Sequence, residues 1–253
     1  MTRLITRRAL IGTGAAGAGT LLLGGCDRLN ANPDVREALR EADQFHQTAQ
    51  RLLGRHALAR EYASSERSPI FRANGNVTAD DPLWTAEAKR GFAGWALQIR
   101  GLVDRPLSLP LSALQAMPQR RQTTRHDCVE GWSAIGEWQG PRLGPILRLA
   151  GVKPQARYAV FHCADRFGTA AYYESIDLTD AFHPQTILAW QMNGQPLAIE
   201  HGAPLRLRVE RQLGYKQAKY LMAVELVESF AGLHGGNGGF WEDTRGYHWY
   251  AGI

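Results

Sequence analysis

The chain has 253 residues, of which 44% are hydrophobic, with 29 lysines and arginines against 24 aspartates and glutamates. That is enough for one large domain with a proper core, because sheet-rich single domains reach about 200 to 250 residues. The formal charge of +5 falls to +2 once Arg3, Arg7 and Arg8 are set aside with a leader, too mild a balance to point to nucleic acid.

Residues 1–26 read as processing machinery. Thr6-Arg7-Arg8-Ala9-Leu10-Ile11 carries a twin-arginine signature and is followed by a mildly apolar, Gly- and Ala-rich stretch up to Leu23. Twin-arginine export carries proteins already folded; an ordinary signal peptide with two chance arginines is the plainer alternative. Leu23-Gly24-Gly25-Cys26 has the small-residue pattern of a lipoprotein cleavage site, at which Cys26 is diacylated and becomes the mature amino terminus. Asp27 resembles the signal that retains bacterial lipoproteins in the inner membrane. Simple cleavage and free periplasmic release is the alternative. No later apolar run reaches the roughly 18 residues of a membrane-spanning helix.

Beyond the leader, Asn32 is a good N-cap and Pro33 suits a first helical turn. Val35, Leu39, Ala42, Phe45, Ala49, Leu52 and Leu53 recur at helical spacing, which predicts an amphipathic helix over 34–53. Its stripe would pack on its own domain or meet a membrane partner. The predicted organisation is therefore a leader at 1–26, a linker and amphipathic helix at 27–66, and one domain at 67–253. Residues 68–76 read as an extended loop with turn residues.

Strands are predicted at 95–100 and 107–109, a short helix at 110–117, and a strand at 122–125 just before Cys128. A helix at 144–149 ends at Gly151. Strands follow at 158–163, 172–176 and 186–192, and Asn193-Gly194 is a strong two-residue hairpin signal. Two more strands, 205–210 and 220–227, precede a glycine-dense loop at 232–239 and a tail, 240–250, with five aromatics. The fold class is α+β, with mixed sheets and short helices.

Three cysteines occur. With Cys26 consumed by lipid, Cys128 and Cys163 remain in an oxidising compartment, where they form a disulfide or one of them binds a metal. No Cys-x-x-Cys-His occurs for covalent haem, and none of the eight histidines has zinc spacing. Gly131-Trp132-Ser133-Ala134-Ile135-Gly136 lacks the glycine spacing of a hydrolase nucleophile elbow.

The run Arg125-His126-Asp127-Cys128-Val129-Glu130-Gly131-Trp132-Ser133 resembles the segment that presents a molybdenum-ligating cysteine in sulfite-oxidase-like molybdopterin enzymes. Cys-Val-Glu followed by Gly-Trp-Ser is similar to the bacterial periplasmic methionine-sulfoxide reductase branch, whereas sulfite oxidases carry a Gly-Asn-Arg-type run after their cysteine. Further runs keep the family's order over 71–227: Trp138 and Gly140, His183-Pro184-Gln185-Thr186, Asn193-Gly194-Gln195-Pro196-Leu197, Gly202-Ala203-Pro204-Leu205-Arg206, and Gly214-Tyr215-Lys216-Gln217-Ala218-Lys219.

The resemblance implies a single sulfite-oxidase-type molybdopterin-binding domain holding a molybdenum-molybdopterin cofactor. Cys128 would be the catalytic metal ligand, since a thiolate is both soft and anionic. Asn74, Cys163, His201, Arg206, Gln217, Ala218 and Lys219 would contact the cofactor, with Arg206 and Lys219 neutralising its phosphate. Two positions depart from the branch: His201 stands in place of an Asn, and Cys163 stands near the place of a Thr. Asp165 and Arg166 would face the site or form a surface ion pair. Trp241, Tyr247, His248, Trp249 and Tyr250 would wall a substrate funnel or cover the core.

The activity implied is oxygen-atom transfer that reduces an S-oxide or N-oxide, such as methionine sulfoxide, free or protein-bound. Electrons would come from a haem-bearing membrane subunit or a cytochrome, at the periplasmic face of the inner membrane, and there is no room for the family's dimerisation domain. One alternative is a sulfite-type dehydrogenase, with Arg125, Arg166, Arg208 and Arg211 as candidate anion-binding groups. Another is a noncatalytic lipoprotein scaffold that retains the fold.

Overall fold

A computed structural model describes residues 32–253; the twin-arginine run and Cys26 lie outside the described residues. The chain divides into two units, at Gly54 and Arg55. In the first, helix α1 covers Pro33–Gly54. The Asn32 side chain accepts the Asp34 amide at 2.9 Å and so caps the helix start. Among the described residues no helix is long and apolar enough to cross a membrane.

The second unit begins earlier than residue 67. Tyr62 donates its amide to the Thr123 carbonyl at 2.9 Å, and Gln185 holds both the amide and the carbonyl of Ala59. Its first helix, α2 (Pro82–Lys89), was not among the predicted elements. Asp81 caps it through the Trp84 amide, and Pro82 sits in the first turn. Trp84 is its one fully buried side chain, so the apolar periodicity that reveals most helices is missing.

The main sheet has the order β2-β1-β11-β5-β6, built from β1 (Ala96–Gly101), β2 (Leu107–Pro110), β5 (Tyr158–Phe167), β6 (Ala170–Asp177) and β11 (Leu221–Val227). β1 and β11 run parallel and the other neighbours antiparallel. Alternation along β1 buries Leu97 and Ile99, and β11 buries Leu221, Val224 and Leu226. These join Ile146 and Leu147 of a helix over Leu143–Ala150 in the principal core. Gly151 ends that helix in the left-handed conformation, φ 72°, as expected of a C-terminal glycine. Two short helices complete this part, α3 (Leu111–Ala116) and, after α4 (Leu143–Ala150), α5 (Leu178–Ala181).

A second sheet, β3-β4-β8-β9, joins β3 (Gln119–Asp127), β4 (Ser133–Pro141), β8 (Gln191–Met192) and β9 (Gln195–Pro196). β4 was not predicted, and β3 is longer than its predicted core. The two pair along their length, from Gln119 opposite Pro141 to Asp127 opposite Ser133. The segment predicted as one strand at 186–192 is split. β7 (Ile187–Ala189) pairs with β10 (Arg206–Arg208), while β8 pairs with β4. Trp190 marks the break, its amide bonded to the Gln139 carbonyl and its indole to the Gln119 side chain. Asn193 and Gly194, both at positive φ, close the β8–β9 hairpin where the dipeptide predicts it. The disulfide alternative is excluded, because Cys128 and Cys163 are both free.

Candidate active site

The β3–β4 hairpin presents Cys128. At the end of β3 the chain turns back through residues 128–132, with the Cys128 amide bonded to the Trp132 carbonyl and the Gly131 amide to the Cys128 carbonyl. Gly131 has φ 85°, a conformation that glycine adopts without steric penalty. Below the turn, Ser133 and Arg125 both bond the Asp127 carboxylate. Backbone geometry therefore fixes where the thiol emerges.

The thiol opens into a cavity of about 370 Å³, within the range of ligand sites. It is only 8% exposed, and Asn74 donates to its sulfur at 3.1 Å. Burial pushes the thiol pKa up and the Glu130 charge adds to this, against the hydrogen bonds from Asn74 and the Glu130 backbone. Binding a metal would therefore release a proton from this sulfur.

Asn74, Cys128, His201, Arg206, Gln217 and Lys219 all line this one cavity. They come from the 68–76 loop, the β3–β4 turn, a short helix at Ile199–His201, β10 and the segment after Gly214–Lys216. Ala218 is buried between two lining residues, its carbonyl bonded to the Leu207 amide. Cys163 is the exception. It lies half-buried on β5 outside the cavity lining, with its thiol directed to the Phe161 carbonyl at 3.8 Å.

Arg206 donates to the carbonyls of His201 and Gln217, but its Nε is buried with no partner, and no carboxylate among the described residues pairs with it. Burial and the neighbouring Arg208 push its pKa down to about 9, so it remains a cation with uncompensated charge. Gln217 Oε1 is a second buried atom with no partner. Lys219 is differently placed from a free phosphate-binding lysine. Its ammonium bonds the carbonyls of Asn74, Asn76 and Glu200, tying two cavity loops together, and burial followed by Arg206 lowers its pKa to about 7.

His126 belongs to the site although it was not singled out in the sequence. It lines the cavity beside Gly214, where a Cβ would press on the imidazole ring. Arg208 donates to His126 Nδ1 at 3.1 Å, which leaves the proton on Nε2. Burial, then Arg208 and Arg206, lower its pKa well below the usual histidine range. Burial and Arg206 lower that of His201 also. Two neutral rings therefore face the cavity. Asp165, 3% exposed, accepts from Asn76 through Oδ2, while Oδ1 is buried without a partner; burial raises its pKa to about 6.

The four arginines suggested for anion binding are placed elsewhere. Arg125 pairs with Asp127, Arg166 bonds the Thr169 carbonyl, Arg208 is buried against Glu210, and Arg211 bonds the Arg55 carbonyl. None of them lines the cavity. The terminal aromatics divide: Trp241 and Tyr247 line it, whereas Trp249 packs on Tyr158 and Phe230 and donates to Ser175.

A cofactor carrying its own sulfur ligands needs a single protein thiol, and the cavity offers Cys128. A cluster of three or more His, Cys, Asp or Glu able to hold a metal ion is absent among the described residues. The unpartnered Arg206 Nε–H suits an anionic group, and the unpartnered Gln217 Oε1 suits an N–H or O–H donor of the same ligand.

Residues 85–231 match the family described as oxidoreductase molybdopterin binding domain. A protein of Azospira oryzae, named provisionally as protein-methionine-sulfoxide reductase subunit YedZ1, is 38% identical over 98% of this chain and 88% of its own length. The protein-methionine-sulfoxide reductase catalytic subunit MsrP of Xanthomonas campestris pv. campestris is 33% identical over 58% of this chain, which spans about half (49%) of that protein. Among solved structures, the sulfane dehydrogenase SoxCD of Paracoccus pantotrophus shares the fold. Its TM-score is 0.50 at 24% identity, covering 54% of this chain and 39% of that one.

Proposed function

The chain belongs to the oxidoreductase molybdopterin binding domain family, and from that premise we propose that it reduces alkyl sulfoxides such as methionine sulfoxide. The balanced reaction converts a sulfoxide, two electrons and two protons into a thioether and water. The observation that carries this direction is the cavity's lining: Phe71, Phe167, Tyr172, Tyr215, Trp241 and Tyr247 give it a broad aromatic surface beside two neutral imidazoles, and of its cations Arg72 is exposed, Arg206 bonds two carbonyls and Lys219 three. The names of the relatives from Azospira and Xanthomonas support the same substrate class.

Molybdenum in its pterin dithiolene supplies two-electron oxygen-atom transfer when bound. Cys128 would hold the metal through its thiolate, with Asn74 donating to that sulfur and fixing its direction. Arg206 would grip the cofactor's anionic group, and Gln217 and His201 would bond its polar edges. Asp165, with its pKa near 6, is the cavity carboxyl best suited to hold a proton close to neutral pH. A substrate screen on loaded enzyme tests the direction. Methionine sulfoxide is expected to be reduced by a reduced viologen; oxidation of sulfite with ferricyanide as electron acceptor, without any sulfoxide reduction, would overturn the reading.

The two electrons would come from a one-electron haem carrier, a membrane subunit or a cytochrome. The twin-arginine run and Cys26 support attachment at the periplasmic face of the inner membrane by lipid. Anchoring would raise the effective concentration of enzyme near a membrane donor. Cys26→Ser is expected to move the protein from the membrane fraction to the soluble periplasmic fraction while viologen-driven turnover is kept. Persistence in the membrane fraction would mean that the acyl chains are not the attachment.

A further inference from the structure

The family match ends at residue 231, yet Trp241 and Tyr247 from the last segment line the same cavity as Cys128. With Phe167 and Tyr215 they form a continuous wall. In the order Phe167, Trp241, Tyr247, Tyr215 the ring centroids are 5.1, 5.8 and 5.1 Å apart. The middle pair is stacked at 25°, and the flanking pairs meet at 62° and 74°. All four rings line the cavity and none is fully buried, so the wall is a surface that a ligand can touch.

The wall is held rigidly from behind. Trp241 lies in the helix Phe240–Arg245 between two anchored neighbours: Phe240 stacks on Phe167 at 4.9 Å, and the Glu242 carboxylate bonds the buried Lys216 at 2.5 Å. Asp243, one residue further, accepts the amides of Gly235 and Asn237 and the Tyr173 hydroxyl, which closes the glycine-rich loop. Tyr215 is fixed at both ends, its hydroxyl donating to the His248 carbonyl and its own carbonyl accepting from Tyr172.

We infer that this wall recognises the S-methyl arm of the substrate, with Trp241 and Tyr247 as specificity-determining residues, so that methyl sulfoxides are preferred. The inference rests on the sulfoxide-reductase reading above. A sulfinyl group withdraws electrons from its methyl, leaving those hydrogens positive, and aromatic faces are negative. Sulfur itself makes favourable contacts with ring edges. The sulfinyl oxygen, an acceptor, is left to polar donors elsewhere in the lining. An oxyanion without a methyl group gains nothing from this surface and is disfavoured by its ring faces.

The test uses molybdenum-loaded enzyme with a reduced viologen as donor, and compares methionine sulfoxide with trimethylamine N-oxide. Trp241→Leu and Tyr247→Leu keep apolar bulk but lose the ring. Each is expected to raise KM for methionine sulfoxide about tenfold, with kcat changed less than about twofold, the scale of a lost contact in an apolar pocket. Trp241→Phe, which restores a ring, is expected to recover most of the loss. Unchanged KM in both leucine variants, beside a wild type that reduces the sulfoxide, would overturn the wall's role and leave the reductase reading standing. A KM increase confined to trimethylamine N-oxide would overturn the choice of substrate arm. A wild type with no sulfoxide turnover at all would remove the reductase reading and this inference together.

Discussion

Cys128→Ser is expected to abolish turnover on a folded protein. The hydroxyl is nearly isosteric with the thiol, and the turn that carries it is built from backbone bonds to Trp132 and within residues 128–131, which the substitution leaves in place. What changes is the donor atom: a soft sulfur that loses its proton to a metal becomes a hard, far less acidic oxygen. Loss of an outer-shell partner of a metal ligand costs about 10- to 100-fold in affinity or activity. Loss of the ligand itself should exceed that upper figure. Turnover with a reduced viologen, metal content and the circular-dichroism melting curve should be read on the same sample. Wild-type turnover by a fully loaded serine variant would remove Cys128 from the chemistry.

Lys216→Met is expected to destabilise the protein by about 3 to 5 kcal/mol, the cost of leaving buried charge uncompensated. The Lys216 ammonium is buried, 2.5 Å from Glu242 and 2.7 Å from Glu174, whose side chains are equally inaccessible. One cation cannot neutralise two carboxylates, and the structure resolves this by raising the Glu174 pKa well above the usual range. Burial is the main cause and Glu242 adds to it, against the pull of Lys216. The Lys216 pKa is itself raised, because the two carboxylates outweigh its burial.

The sign of the pH dependence follows. Folded Glu174 keeps a proton that the unfolded chain releases above about pH 4.3, so its contribution is full below that value and is lost as pH rises toward the folded pKa. Glu174→Gln keeps a neutral amide there and should flatten this decline, costing about 1 kcal/mol or less at neutral pH. Denaturant unfolding of both variants between pH 5 and 8 checks the pair. Equal stability of Lys216→Met and wild type across that range would show that the cluster carries no such charge. Lys216 adjoins Tyr215 and Gln217, and Glu242 adjoins Trp241, so the same variant should also loosen the aromatic wall.

Much of the cavity was legible because its parts lie in short, chemically distinctive runs. Cys128, Arg206, Gln217 and Lys219 were identifiable from their neighbours in the chain, His201 from its place beside Gly202-Ala203-Pro204 in spite of its residue type, and Asn74 only from its position ahead of the cysteine, and all six line one cavity. The strands β1, β5, β6 and β11 were visible in apolar runs and alternation. β4 escaped because Ser133 to Pro141 mixes glycine, charge and one tryptophan, and its strand character comes from its pairing with β3. The split at Trp190 escaped too, since a continuous apolar run gives no sign that its two halves join different strands.

Residue type and order in the chain thus suffice to name a thiol, its basic companions and the elements that carry them. They do not reveal direction. Arg206 and Arg208 share one face of a strand and both lie over Trp138, yet only Arg206 lines the cavity while Arg208 is taken by Glu210 and His126; Cys163 has the right place in the chain and lies outside the lining. His126 enters the site because Gly214 leaves room for its ring, Lys219 bonds loop carbonyls because residues 74, 76 and 200 converge on it, and Trp241 reaches the wall because a distant lysine anchors Glu242. Each of these depends on contacts between segments far apart in the chain, and long-range packing sets side-chain direction, burial and hence charge state, none of which is a local property of the polypeptide.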